Sequence, residues 1–256
     1  MPSSSPRRSR LTTPWLHGPV EPVGDGIRLF CIPYAGGSAT PYLTWRSKLP
    51  QIDLQPVRLP GRLERASEPQ IRRLPALVNA LAEALAPFAS ESFAIFGHSM
   101  GALVALELAR RFEARGRPPT HVFVSGHPSP EQPWRIETGL HLAPEASIIE
   151  FLRGLLGTPE ELLQDPETRA LIVSSMRGDL ELVETYNYVV EPRLACAVTT
   201  LYGADDATID QVAGWKDVTS GPWSCYAFAG GHFFPFGESR DDVLATIATT
   251  LSRPGS

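Results

Sequence analysis

Ser99, Asp206 and His232 are the residues whose types and chain order could do chemistry together. Ser99 lies in Gly97-His98-Ser99-Met100-Gly101, a Gly-x-Ser-x-Gly run. A serine hydroxyl is a poor nucleophile near neutral pH. It becomes reactive when held exposed beside a base, with amide donors ready for an oxyanion. A Gly-x-Ser-x-Gly turn between a strand and a helix supplies that exposure. The flanks fit, because Phe93-Ala94-Ile95-Phe96 is apolar on both faces and Ala102-Leu103-Val104-Ala105-Leu106 continues as an apolar helix. The order Ser, Asp, His makes His232 the base and Asp206 the group that orients its ring.

Other residues compete for these roles. His17 lies near the start, His98 is fixed within the turn, His121 opens a strand, and His127 and His141 border a helical stretch. His232 follows a late strand behind Gly230-Gly231, so it is the favoured base. For the acid, Gly203-x-x-Asp favours Asp206, while Asp205 beside it and Asp179 earlier also satisfy the chain order. One oxyanion donor would be the amide of Met100, directly after the nucleophile. The other would come from the turn Tyr34-Ala35-Gly36-Gly37-Ser38, with Ala35 the favoured residue. A plain strand-to-helix turn is the alternative reading of that stretch.

The elements that must position these groups form an alternating pattern. Strand-like runs at Ile27–Pro33, Ile52–Leu59, Phe93–Phe96 and His121–Gly126 are separated by helical segments, which is the signature of a parallel sheet with crossover helices. Thr44–Leu49 reads as a short helix. Leu74, Leu77, Val78, Leu81, Leu85 and Phe88 form one helical stripe, with Pro75 in the first turn. The helix after Ser99 is expected to end near Gly116. Cys196–Tyr202 and Trp223–Phe228 resume the sheet, and Val243, Leu244, Ile247 and Leu251 close the chain with an amphipathic helix.

From about Pro128 to Arg193 no strand-like run occurs, and an unstructured connection of that length is implausible. A helical cap over the sheet is expected there. Its apolar residues Leu155, Leu156, Met176 and Leu180 read first as inter-helix packing and second as contacts for an acyl chain. The expected organisation is a disordered tail over 1–24, a core over 25–127 and 194–253, and a lid over 128–193. In the loop after the second strand, Arg62 and Arg65 read as solvated or internally paired rather than as a phosphate site.

Composition excludes several function classes. At 256 residues and 43% hydrophobic, the chain can bury the core of one α/β domain. A net charge of -5 argues against general binding to nucleic acid or to an anionic membrane. No apolar run approaches the length that spans a bilayer, and Pro2–Pro14 lacks the apolar region of a signal peptide. Cys31, Cys196 and Cys225 show no paired spacing, so neither disulfides nor a zinc site is expected, which suits a cytoplasmic protein.

At the residues just named, the sequence resembles the stand-alone type II thioesterases of polyketide and nonribosomal peptide assembly lines, members of the α/β-hydrolase superfamily. Tyr34-Ala35-Gly36-Gly37-Ser38, Leu59-Pro60-Gly61-Arg62, Gly97–Gly101, Phe123-Val124-Ser125-Gly126, the segment from Arg177-Gly178-Asp179 to Tyr186 and Gly230-Gly231-His232-Phe233 carry the likeness, which runs from about residue 27 to 251. The resemblance implies a mostly parallel sheet flanked by helices with an inserted helical lid. It implies an acyl or aminoacyl thioester substrate on the phosphopantetheine arm of a carrier protein, cleared by hydrolysis when a synthase is mis-primed or stalled. No metal or resident cofactor is implied, since the arm arrives with the partner. Ala207 stands where many relatives have proline, and Tyr34 where many have histidine. A general carboxylesterase, an acyltransferase and a non-catalytic scaffold binding carrier proteins are the other readings.

Overall fold

Strands buried on both faces need no polar alternation, and the chain supplies such strands. In a computed structural model, described over residues 11–252 except 19, 22, 25, 90–91, 133–138 and 207–208, six parallel strands form one sheet in the order β2-β1-β3-β4-β5-β6. They are β1 (Ile27–Ile32), β2 (Ile52–Pro56), β3 (Phe93–His98), β4 (His121–Ser125), β5 (Ala197–Gly203) and β6 (Trp223–Phe228). Every residue of β3 and β4 is buried.

The two faces of the sheet are covered by different helices. Phe30, Ile32, Phe93 and Ile95 point to the side packed by α2 (Leu74–Leu85) and α3 (Met100–Glu113). Leu29, Cys31, Ala94 and Phe96 point to the other side, against Tyr42 of α1 (Thr40–Leu43) and Val243, Leu244 and Ile247 of α7 (Arg240–Leu251). The alternation within each strand follows from the two-residue repeat of an extended chain.

Between β4 and β5 lie α4 (Glu145–Leu155), α5 (Glu160–Gln164) and α6 (Pro166–Glu184). They have an apolar cluster of their own, built on Leu140, Ile148, Leu152, Leu163, Val173, Met176 and Leu180. Asp165 caps α6 by accepting the amide of Thr168 at 2.8 Å. The cluster also packs on Ala35, so the helical segment rests on the turn that follows β1.

Several local expectations shift. The helix expected at Thr44–Leu49 lies one turn earlier, because Pro41 favours a helix start, and Arg46–Lys48 forms only a 3-10 turn. The second strand stops at Pro56 instead of Leu59, since Val57 turns to bridge Leu16. The helix after Ser99 ends at Glu113. The disordered tail expected over 1–24 is contradicted in its second half. Leu16 is fully buried, Val20 is nearly so, and the Arg65 guanidinium sits 4.2 Å over the Trp15 ring. Residues 1–10 lie outside the described residues.

Candidate active site

The strand order reverses between β1 and β3, since the chain runs outward from β1 to β2 and then returns. A crevice opens at the C-terminal ends of two strands where the order reverses. Ser99 lies just past β3 and the Tyr34–Ser38 turn just past β1, so both border that crevice. Ser99 takes φ 55° and ψ −123°, a conformation that L residues rarely adopt. Its neighbours hold it there. A Cβ on Gly97 would fall inside the carbonyl of Gly101, and one on Gly101 would stand 2.6 Å from the carbonyl oxygen of Ile32. The two glycines therefore let α3 start directly against β3 and β1, and the Ser99 amide donates to Ser125 O at 2.8 Å.

The turns after β5 and β6 are tied together. The amide of Ala204 donates to Phe228 O at 2.7 Å and that of Asp205 to Gly230 O at 3.0 Å. This places Asp206 beside His232. Nδ1 of His232 lies 3.0 Å from Oδ2 of Asp206, and Nε2 lies 3.1 Å from Oγ of Ser99. All three side chains sit in one hydrogen-bonded line, although 133 positions separate Ser99 from His232. Asp205, the neighbouring candidate acid, is exposed to solvent. Ala207 lies outside the described residues.

His98, next to the nucleophile, is fully buried and bonds Ser125 Oγ through Nδ1 at 2.9 Å. The rings of Tyr34, Phe233, Phe234 and Phe236 surround it, with centroids 5.6–6.0 Å away. Burial holds its imidazole well below the usual histidine value. A neutral ring there packs against the His232 ring at 5.1 Å without bringing a charge.

In the turn after β1 the amides of Gly37 and Gly36 are occupied. Gly37 N donates to Tyr34 O at 2.9 Å and Gly36 N to Asp179 Oδ2 at 2.6 Å. The amide of Ala35 has no partner among the described residues. Met100 is the first residue of α3, where an N–H has no intrahelical acceptor. Both amides are thus without a backbone acceptor among the described residues.

Asp179, the third candidate acid, serves a different purpose. It is ion-paired with Arg62 and accepts from Gln70 Nε2 at 2.9 Å as well as from Gly36. Burial raises its carboxyl above the usual carboxylate range, while Arg62 and the three donors pull it back. Arg65 pairs with Glu68. Both arginines are thus internally paired, one of the two readings that the sequence favoured. Gln70 is invisible in the sequence, because a lone glutamine in a polar loop carries no pattern.

A cavity of about 20 Å³ lies over Ser99, lined by Tyr34, Ala35, Phe151, Leu155, Leu180, Val183, His232 and Phe233. That is room for about one water. A second cavity of about 200 Å³ shares Tyr34, Ala35, Leu155 and Phe233 with it and extends under α4 and α5 to Leu162, Ile172 and Met176. Of the cap residues named from the sequence, Leu155, Leu180 and Met176 line this space. Leu156 does not, being 90% exposed where α4 ends in a left-handed residue. Among the described residues no group of three or more His, Cys, Asp or Glu side chains could hold a metal ion. Among the same residues no helix is long and apolar enough to cross a membrane.

Known proteins resemble this chain over most of its length. The thioesterase-domain family matches residues 27–251. The chain is 37% identical over 239 residues to thioesterase PikA5 of Streptomyces venezuelae, covering 90% of this chain and 84% of that one. It is 38% identical over 244 residues to a Brevibacillus parabrevis protein named linear gramicidin dehydrogenase LgrE, covering 93% and 92%. The structure of the type II thioesterase BorB from the borrelidin biosynthetic cluster superposes with a TM-score of 0.84 at 36% identity, covering 95% of this chain and all of that one. The likeness read from the motifs is borne out by these matches. A family match over nearly the whole chain, relatives well above 30% identity and a shared architecture lead to one statement: this chain belongs to the thioesterase family.

Proposed function

We propose that this protein is a type II thioesterase that hydrolyses acyl or aminoacyl thioesters from the phosphopantetheine arm of carrier proteins, with Ser99, His232 and Asp206 as its triad. The observation that carries this reading is the hydrogen-bonded line from Ser99 Oγ through His232 to Asp206 at the crevice of a thioesterase-family sheet. Membership supplies the reaction class, and the line supplies the means.

The steps follow from the positions of the groups. Ser99 Oγ attacks the thioester carbonyl carbon as Nε2 of His232 takes its proton. The resulting oxyanion is met by the amides of Ala35 and Met100. The C–S bond breaks, the thiol leaves with the proton from His232, and the acyl group remains on Ser99. Water then attacks the ester carbonyl while His232 takes a proton from it, the bond from the carbonyl carbon to Oγ breaks, and His232 returns the proton to Oγ, which frees the Ser99 hydroxyl and releases the acid. Asp206 holds Nδ1 of His232, which fixes the tautomer and stabilises the ring when it carries charge. The cramped space at Ser99 suits a reacting carbonyl, and the wider apolar cavity beyond it suits the acyl chain.

On this reading the protein edits mis-primed or stalled synthases in the cytoplasm, where free cysteines such as Cys31, Cys196 and Cys225 persist. The test is mass spectrometry of acyl-loaded carrier proteins incubated with the enzyme, with Ser99→Ala as the control. Loss of the acyl mass to give the free arm is the expected result. A preference for free esters, or transfer to an acceptor in place of water, would reject it.

A further inference from the structure

The turn that carries Ala35 is gripped on both sides by one buried ion pair. Arg62 Nη1 donates to Gly37 O at 2.5 Å and to Tyr34 O at 3.3 Å, while Nη2 pairs with Asp179 Oδ1. Asp179 Oδ2 takes the amide of Gly36 at 2.6 Å. The residues before and after Ala35 are thus held by their backbones. Neither Arg62 nor Asp179 lines the cavity over Ser99, so neither meets the reacting atoms.

The pair joins three separate parts of the chain. Arg62 comes from the loop after β2 and Asp179 from α6, 117 positions later. Gln70 adds a second tie, donating to Asp179 Oδ1 at 2.9 Å and to Ser175 O at 2.8 Å. Gly178 is what admits it, since a Cβ there would overlap the Gln70 amide. The methyl of Met176, one turn back on α6, stands 3.0 Å from where a Cβ on Gly36 would lie.

Stability alone does not account for this arrangement. The side chains of Arg62 and Asp179 are 7% and 2% exposed, and removing two charges from water costs about as much as their attraction returns, so an apolar pair of the same volume would hold the fold as well. What an apolar pair lacks is direction: only the charged pair can aim at a carbonyl on one side of Ala35 and an amide on the other.

We infer that Arg62 and Asp179 are positioning residues for the oxyanion donor Ala35, so that α6, although it lies in the inserted segment, is a fixed part of the catalytic machinery. This rests on the proposed role of the Ala35 amide. A misplacement of about 1 Å at such a site can lower turnover by about 10²-fold.

The test uses Asp179→Asn, Asp179→Ala and the apolar double variant Arg62→Met/Asp179→Leu in the full chain, assayed on a short acyl thioester of N-acetylcysteamine. Two inhibitors are measured beside it. One is a trifluoromethyl ketone thioether, which forms a tetrahedral adduct with the serine, and the other an unreactive thioether of the same shape. The expected result is a fall in kcat of about tenfold or more with KM within about twofold. Affinity for the ketone should fall by the same factor as kcat/KM, and affinity for the thioether should not change. Asp179→Asn should keep more activity than Asp179→Ala, because an amide oxygen can still accept from Gly36. Unchanged kcat in a folded variant, or a fall in kcat with no loss of ketone affinity, would overturn the inference. Should the single variants fail to fold, the apolar pair gives the same reading. Inactivity of the wild-type protein on every thioester would reject the proposed function and this inference with it, whereas active wild type with equally active variants rejects the inference alone.

Discussion

His232 reaches Ser99 and Asp206 with opposite edges of one ring, at 3.1 Å and 3.0 Å. Asp206→Asn would keep the size of the acid but present the wrong partner to Nδ1. Turnover of an acyl thioester, followed as released thiol, is expected to fall by about 10⁴-fold, with the circular dichroism spectrum unchanged. A fall of less than about tenfold would mean that Asp206 is not the acid.

Gly97 and Gly101 have no space for a methyl group on the side that faces their neighbours. Gly97→Ala would drive β3 and α3 apart at the carbonyl of Gly101. We expect a loss of stability at or above the upper end of the about 1–3 kcal/mol range of overpacking, read from the urea midpoint. Gly231→Ala, where no atom of the described residues lies within 4 Å of the added carbon, serves as the comparison.

His121 and His127 are buried, and burial holds both down to about 4 from an ordinary value of 6.5. Burial lowers His98 well below the same value. The unfolded chain takes up protons at these rings near pH 6.5, and the folded chain refuses them until much lower pH. Stability should therefore be full above pH 6.5 and fall as pH drops through the window toward about 4. At about pH 5, His121 and His127 should each have cost about 2 kcal/mol. Urea unfolding at about pH 7.5 and about pH 5 checks this. Equal midpoints at the two values would show that these rings are charged in the folded protein.

Phe233 lines both the small cavity at Ser99 and the larger one beyond, and its ring packs on Gly157 in the turn between α4 and α5. Phe233→Ala should merge the two spaces. The acyl preference, measured as kcat/KM over a series from acetyl to decanoyl thioesters, should move toward longer chains. A uniform fall over the whole series would instead mean that the ring supports His232, which it meets edge-on at 5.2 Å.

Much of this architecture is legible in the sequence for one reason: strands buried on both faces must be apolar runs, and their shared edge then gathers Ser99, Asp206 and His232. The same reasoning placed Asp206 ahead of Asp205, which the structure exposes. It could not find the task of Asp179, because a buried ion pair between a loop arginine and a helix aspartate looks, residue by residue, like two solvated charges. Gln70 and its seat against Gly178 were invisible for a related cause, since a single close approach leaves no periodic trace. Leu16 was missed because one buried side chain in an irregular segment has no helical or strand rhythm. The helix expected over Thr44–Leu49 lies instead at Thr40–Leu43, because Pro41 favours a first helical turn and leaves no trace in the apolar spacing.

The strap from Leu11 to Val20 has a practical bearing on how this enzyme can be handled. The family match begins at residue 27, yet Leu16 is fully buried in the core between sheet and helices and bridges Val57 beside β2. A fragment trimmed to the matched boundary would uncover a patch beneath this plug, at a cost of about 2–5 kcal/mol from the leucine alone. That is a large share of the about 5–15 kcal/mol that keeps a typical domain folded. Fusions and shortened versions should therefore keep the strap, and a chain starting at residue 27 is expected to melt earlier and aggregate more readily than one starting at residue 11.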